Sequence, residues 1–293
     1  MTEQSQTGNS SQAKPRRTKE VVRHVHLERT RPKLSNYDEQ DNARKAKKAQ
    51  NRRSRAQSAS RGKKASASPA RRDSRAKLRI IPLGGLDAIG KNMTAFECGN
   101  DMVLDDAGLM FPDDNHPGID LILPDYSYVL ENAEKLRGII ITHGHEDHTG
   151  ALPYLLKDLD RKVPIYATKL TLGLIEGKLA EHKIKNAKLC EIKPGQSIKL
   201  GSITAEFFSV NHSIPDAVGV FFQSPAGNVL HTGDFKLDQS PIDGVHTDFG
   251  ALARFSKIGV DLMMSDSTNA SNPNFTPSEA EVGKALDTII SQD

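Results

Sequence analysis

The chain changes character at one point, between Lys77 and Leu78. Residues 1–77 hold 22 Lys and Arg against 7 Asp and Glu, and the run from Asn42 to Lys77 has almost no large apolar side chain. Such a segment cannot bury enough surface to offset the entropy of ordering its backbone, so it is expected to be a disordered basic tail. The remaining 216 residues hold 18 Lys and Arg against 30 Asp and Glu, so the formal net charge of +3 describes neither part. Any folded core must be built from Leu78 onward, in a length that suits one large domain or two small ones.

A cationic tail neutralises phosphates without reading sequence, and blocks of like charge often have electrostatic partners. Contact with RNA, a ribosome or an RNA-degradation complex is one reading of residues 1–77; a solubilising spacer is the other. Cys98 and Cys190 stand far apart, with no disulfide framework and no CxxC knuckle, which fits a reducing cytoplasm. The opening MTEQSQTGNS has no apolar core of the kind a signal peptide needs. No apolar run reaches the roughly 18–20 residues of a membrane span, so no membrane partner is expected.

From Leu78 the pattern is one of short strands. LRIIPL (78–83) is followed by a glycine-rich turn, GGLDAIGKN (84–92), then MTAFEC (93–98) and MVLD (102–105). RGIIITH (137–143) is a β-branched, buried strand. Residues 170–184 have helical spacing. Further strands are expected at 187–192, 197–200, 203–209, 219–223, 228–231 and 262–266. A capped helix is expected at 278–291. Many strands with interspersed helices suggest sheets covered by helices, an α/β (α+β) fold.

The chemistry is concentrated in Thr142-His143-Gly144-His145-Glu146-Asp147-His148, directly after the apolar strand. Imidazole nitrogen and carboxylate oxygen are natural zinc donors. His143 and His145 can turn to one metal while Asp147 and His148 turn to a second. Further ligands should arrive from other strand ends, and two candidates fit. His212 follows the strand at 203–209, and Asp234 follows the strand at 228–231, in His231-Thr232-Gly233-Asp234. Taken alone, each would be a satisfied polar residue in a turn. His231 is read as a supporting residue rather than a ligand, and the glycines of 84–92 as a tight turn near the site.

The order His-x-His-x-Asp-His, then a single His, then Thr-Gly-Asp, resembles the metallo-β-lactamase fold, an αββα sandwich. That pattern alone leaves glyoxalases, lactamases and arylsulfatase-like enzymes open. The longer words GGLDAIGKNM, DAGLMFPDD, GIDLILPD, ITHGHEDHTGALPYLL, NHSIPDAVGV, HTGDFK and SDSTNASNPNFTPSE resemble ribonuclease J, of the β-CASP nuclease group. The resemblance covers residues 78–293. It implies His143, His145 and His212 on one zinc, Asp147 and His148 on the other, and Asp234 bridging, with Mn2+ or Mg2+ as alternative metals. It implies that Asp106 supports the site and that Asp266 is a candidate proton donor; the plainer reading of Asp266 is a turn cap. The implied activity is 5′-to-3′ exonucleolytic and endonucleolytic cleavage of single-stranded, 5′-monophosphorylated RNA, in rRNA maturation and mRNA decay, by a homo-oligomer when full-length.

The chain departs from that family in two places. Ala88 stands where relatives usually carry Glu. The chain also ends at Asp293, where the β-CASP domain should begin, so a fragment is expected, with the later His ligand and the 5′-phosphate pocket absent. The implied organisation is a tail at 1–77, an incomplete metallo-β-lactamase domain at 78–270 and the start of a β-CASP domain at 271–293. The competing readings are a truncated, non-catalytic RNA-binding or assembly partner, and a small-molecule metallohydrolase of the same fold.

Overall fold

The computed structural model describes residues 76–275 and 277–292. The expected tail at 1–77 therefore lies outside the described residues, apart from Ala76 and Lys77.

Two sheets make up the body of the described chain. The first runs β1 (Leu78–Gly84), β2 (Met93–Cys98), β3 (Asp101–Asp105), β4 (Leu136–Ile140), β5 (Pro164–Ala167) and β6 (Lys188–Glu191), in that spatial order. Its first three strands are an antiparallel meander, and β3 through β6 are parallel. The second sheet has the order β11 (Leu262–Met264), β10 (Asn228–His231), β9 (Val218–Gln223), β8 (Ile203–Ser209), β7 (Ser197–Leu200). It is antiparallel except for the β10–β11 pair. Among the described residues six α-helices accompany the sheets: α1 (Ser127–Glu131), α2 (Glu146–Thr149), α3 (Leu152–Asp158), α4 (Lys169–Glu181), α5 (Phe249–Ile258) and α6 (Glu279–Ile290).

The period-2 alternation of strand side chains decides the layering. On β3, Met102 and Leu104 join one core with Leu152, Leu155, Ile175 and Leu179 of α3 and α4. Val103, on the opposite face, joins a second core with Phe96, Ile140, Phe207, Val220, Phe222 and Val229, between the sheets. On the far side of the second sheet, Phe208, Phe221 and Leu230 pack on Ala251 and Phe255 of α5. Three cores separate four layers, helix–sheet–sheet–helix. The middle core is aromatic, with Phe96 and Phe222 stacked across it at 4.2 Å between ring centroids. Each buried Phe is worth on the order of 1.5–3 kcal/mol in apolar burial.

Most expected strands are present with shifts of a residue or two. One shift matters. The apolar strand expected to run to His143 stops at Ile140, although Ile141 still donates its N–H to the Tyr166 carbonyl. Residues 141–143 have left the ladder and cross towards the second sheet, where the Thr142 carbonyl accepts from Val218 N–H at 3.0 Å. Strand β5 and helices α1, α2, α3 and α5 are not anticipated by the sequence reading.

Candidate metal centre

The ligand-type residues gather where strand ends from both sheets meet. Beyond β4, His143 is fully buried, and its Nδ1 lies 3.0 Å from Thr142 Oγ1. That contact turns Nε2 outward, to 3.0 Å from His145 Nδ1. His212 comes from the second sheet, after β8, and places its Nε2 3.1 Å from the same His145 nitrogen. His143, His145 and His212 thus present three ring nitrogens to one point.

A second group shares His143 and adds His148 and Asp234. His148 lies in α2, a short helix. Its Nε2 is 3.4 Å from Asp234 Oδ1 and 3.6 Å from Asp147 Oδ2. Asp234 also reaches the first group, with Oδ2 3.7 Å from His212 Nε2. Asp147 stands at the rim, about a third exposed, adjoining His148 but outside both tight groups.

The backbone holds α2 against these partners from several sides. Asn92 N–H donates to the Asp147 carbonyl at 3.0 Å, Ala107 N–H to that of His148 at 2.9 Å, and Leu109 N–H to that of Glu146 at 3.1 Å. Gly108 permits the approach, since a Cβ there would lie 1.5 Å from the Asp147 carbonyl oxygen. Gly233, at φ 58°, lets the chain pass Val218 and Thr142 on its way to Asp234.

Asp106 sits beneath the group. Its Oδ2 is 2.7 Å from His148 Nδ1, and its carboxylate accepts from the N–H and the hydroxyl of Thr142. The residue adopts φ 61°, a left-handed backbone that Asp tolerates better than most side chains. Asn92, which sequence reasoning passed over, places its side-chain nitrogen 3.3 Å from Asp147 Oδ2 and 3.1 Å from His148 Nε2. Only its position at the end of the glycine-rich turn could have signalled it. Asp266 follows β11 after Ser265, and its Oδ1 accepts from Thr268 N–H at 2.7 Å, the geometry of a turn cap. Its charge is nonetheless felt at His212.

At His143 and Asp234 the electrostatics suits a cation. Burial, with His148 nearby, pushes the His143 pKa down to about 2, so its ring is neutral, as a ligand must be. Burial works against the Asp234 carboxylate, but the hydrogen bond and charge of His148 outweigh it and hold the group well below the usual range. His148 goes the other way: burial opposes its charged form, but the Asp106 carboxylate raises its pKa well above the ordinary value, so a metal there would displace a proton. Converging ring nitrogens and carboxylate oxygens are the chemistry of a metal site. An open surface depression of about 400 Å³ is lined by Lys169, Leu170, Gly173, Leu174 and Asp216, and Leu174 packs on Gly144.

Residues 116–287 match the family model of the beta-lactamase superfamily domain. The chain belongs to the beta-lactamase superfamily. Within it, the resemblance to ribonuclease J is borne out. The chain is 47% identical to ribonuclease J of Corynebacterium glutamicum over 73% of its length, and 45% identical to ribonuclease J of Thermus thermophilus over 73%. It spans 29% and 38% of the lengths of those two relatives. Among solved structures, this beta-lactamase superfamily chain is similar to a protein of unknown function from Enterococcus faecalis V583. That match has a TM-score of 0.53 and 18% identity, covering 73% of this chain and 57% of the other, and it bears on the fold alone.

Proposed function

We propose that this chain is the metal-binding portion of a zinc-dependent ribonuclease that hydrolyses RNA phosphodiester bonds. The observation that carries the reading is the convergence of four imidazoles and a carboxylate at the strand ends of two sheets. Its support is the similarity of the chain to proteins named ribonuclease J.

In this reading His143, His145 and His212 hold one zinc ion, Asp147 and His148 hold a second, and Asp234 bridges. Mn2+ or Mg2+ are the alternatives. Bound there, such ions lower the pKa of a water and neutralise phosphate charge. The protein's part is placement. Asp106 orients His148, Thr142 orients His143, and Asn92 steadies Asp147. Asp266 is the candidate proton donor to the leaving 3′ oxygen, its carboxyl oriented by Thr268.

The substrate is single-stranded, 5′-monophosphorylated RNA, cut 5′-to-3′ and endonucleolytically, in rRNA maturation and mRNA decay. The proposed setting is the cytoplasm. No helix among the described residues is long and apolar enough to cross a membrane, and both cysteines are unpaired. The proposed organisation is a basic segment at 1–77, a metallo-β-lactamase domain at 78–270 and a β-CASP segment from 271, in a protein that forms homo-oligomers.

The test is turnover of 5′-monophosphorylated single-stranded RNA with zinc or manganese, against an Asp147→Ala, His148→Ala double variant. Nucleotide release by the wild type alone supports the nuclease. The excess of 15 positive charges in residues 1–77 favours a second reading, a non-catalytic RNA-binding partner. RNA binding with no turnover, by this chain and by a version extended to the length of its relatives, would favour that one.

A further inference from the structure

Between the sheets, among Phe, Val and Ile side chains, lies one polar contact that the proposed chemistry does not use. Asp105, the last residue of β3, follows Val103 on the strand face that points into the middle core. Its side chain has no exposed surface. His231, the last residue of β10, follows Val229 onto the same face of the opposing sheet. His231 Nδ1 lies 2.6 Å from Asp105 Oδ2. Neither carboxylate oxygen nor His231 Nδ1 has a hydrogen-bond partner of good geometry. At 2.6 Å the two atoms are nonetheless in polar contact.

The neighbours of this pair are the centre itself. Asp106, next after Asp105, holds His148, and Thr232-Gly233-Asp234 follows His231 directly. We infer that the Asp105–His231 contact is a strut that ties the end of β3 to the end of β10 and sets the distance between His148 and Asp234. Both are positioning residues, acting through the residues beside them. An apolar pair of similar volume would fill the same space without fixing that distance. Exchanging buried ion pairs for apolar side chains is often neutral or stabilising, so stability alone gives no reason for one here.

The inference rests on the proposed metal centre, and one set of titrations tests both. Cobalt(II) chloride is titrated into the full chain and followed by visible absorption, with thermal melting of the metal-free protein alongside. The Asp105→Leu, His231→Leu variant should melt close to the wild type yet bind Co2+ roughly 10–100-fold more weakly. Asp105→Ala should also bind weakly, and Asp105→Asn, which keeps an acceptor for His231, should recover part of the affinity. Wild-type affinity in the double leucine variant overturns the strut. If that variant does not fold, wild-type affinity in Asp105→Ala overturns it equally. Failure of the wild type to take up Co2+ overturns the metal centre itself, and the strut with it.

Discussion

Asp106 Oδ2 lies 2.7 Å from His148 Nδ1, and both side chains are buried. This contact decides which nitrogen of His148 faces Asp147 and Asp234. A ligating histidine whose outer nitrogen is held by a carboxylate has its tautomer and ring orientation fixed. Asp106→Asn keeps the shape but removes the charge and allows the wrong proton arrangement. It should weaken zinc binding by roughly 10–100-fold, read by competition with a chromophoric chelator. Unchanged affinity would remove Asp106 from the site's support.

Glycine positions give a contrast of sign. At Gly108 a methyl group would collide with the Asp147 carbonyl, which is backbone and cannot swing aside. Gly108→Ala should cost on the order of 1–3 kcal/mol by denaturant titration and should disturb metal uptake. At Gly177, within α4, nothing lies within 4 Å of the added methyl. Gly177→Ala should therefore stabilise by about 0.5–1 kcal/mol, through helix propensity alone. Equal effects at the two sites would contradict the close approach at Gly108.

The aromatic middle core predicts another contrast. Phe222 is about 1% exposed and stacks on Phe96, whereas Phe111 is 65% exposed. Phe222→Ala should lose about 3–5 kcal/mol. Phe111→Ala should stay within about 0.5 kcal/mol of the wild type. Chemical denaturation of the two variants side by side measures both.

Asp101 joins β3 to the turn before β8, accepting from Arg137 and from Ser202 N–H. Burial opposes its ionised form, but the hydrogen bonds from Arg137 and Ser202 and the Arg137 charge together lower its pKa. A depressed carboxyl contributes stability above its unfolded pKa of about 3.9 and loses it as pH falls through the folded value. Asp101→Asn should cost about 1 kcal/mol at neutral pH. The gap to the wild type should close in melts below about pH 4, and a gap that persists there would show that charge is not the cause.

Much of this was legible in the sequence because its signals are local. Alternating apolar residues marked β2, β8 and β10 almost to the residue, and the dense histidines of 143–148 announced a ligand cluster. Strand β5 was lost because its four residues, beginning with Pro164, carry too little pattern. Helix α2 was lost because its residues are chosen for what they hold, not for helix propensity. Asn92, Gly108 and the Asp105–His231 contact were out of reach for a different reason. Each matters only through a partner far along the chain, brought close by strand pairing between segments whose order in space no periodicity reveals.

The ligand-type residues come from both sheets, some after β4 and others after β8 and β10. No contiguous stretch holds the whole set, and before folding no segment brings more than part of it together. The complete pocket therefore exists only once both sheets have formed and docked. A metal that prefers that pocket stabilises the finished fold by mass action and does little for anything that precedes it. Loading of the site thus reports that both sheets have docked, and a metal-free chain lacks that contribution to the stability of the finished fold.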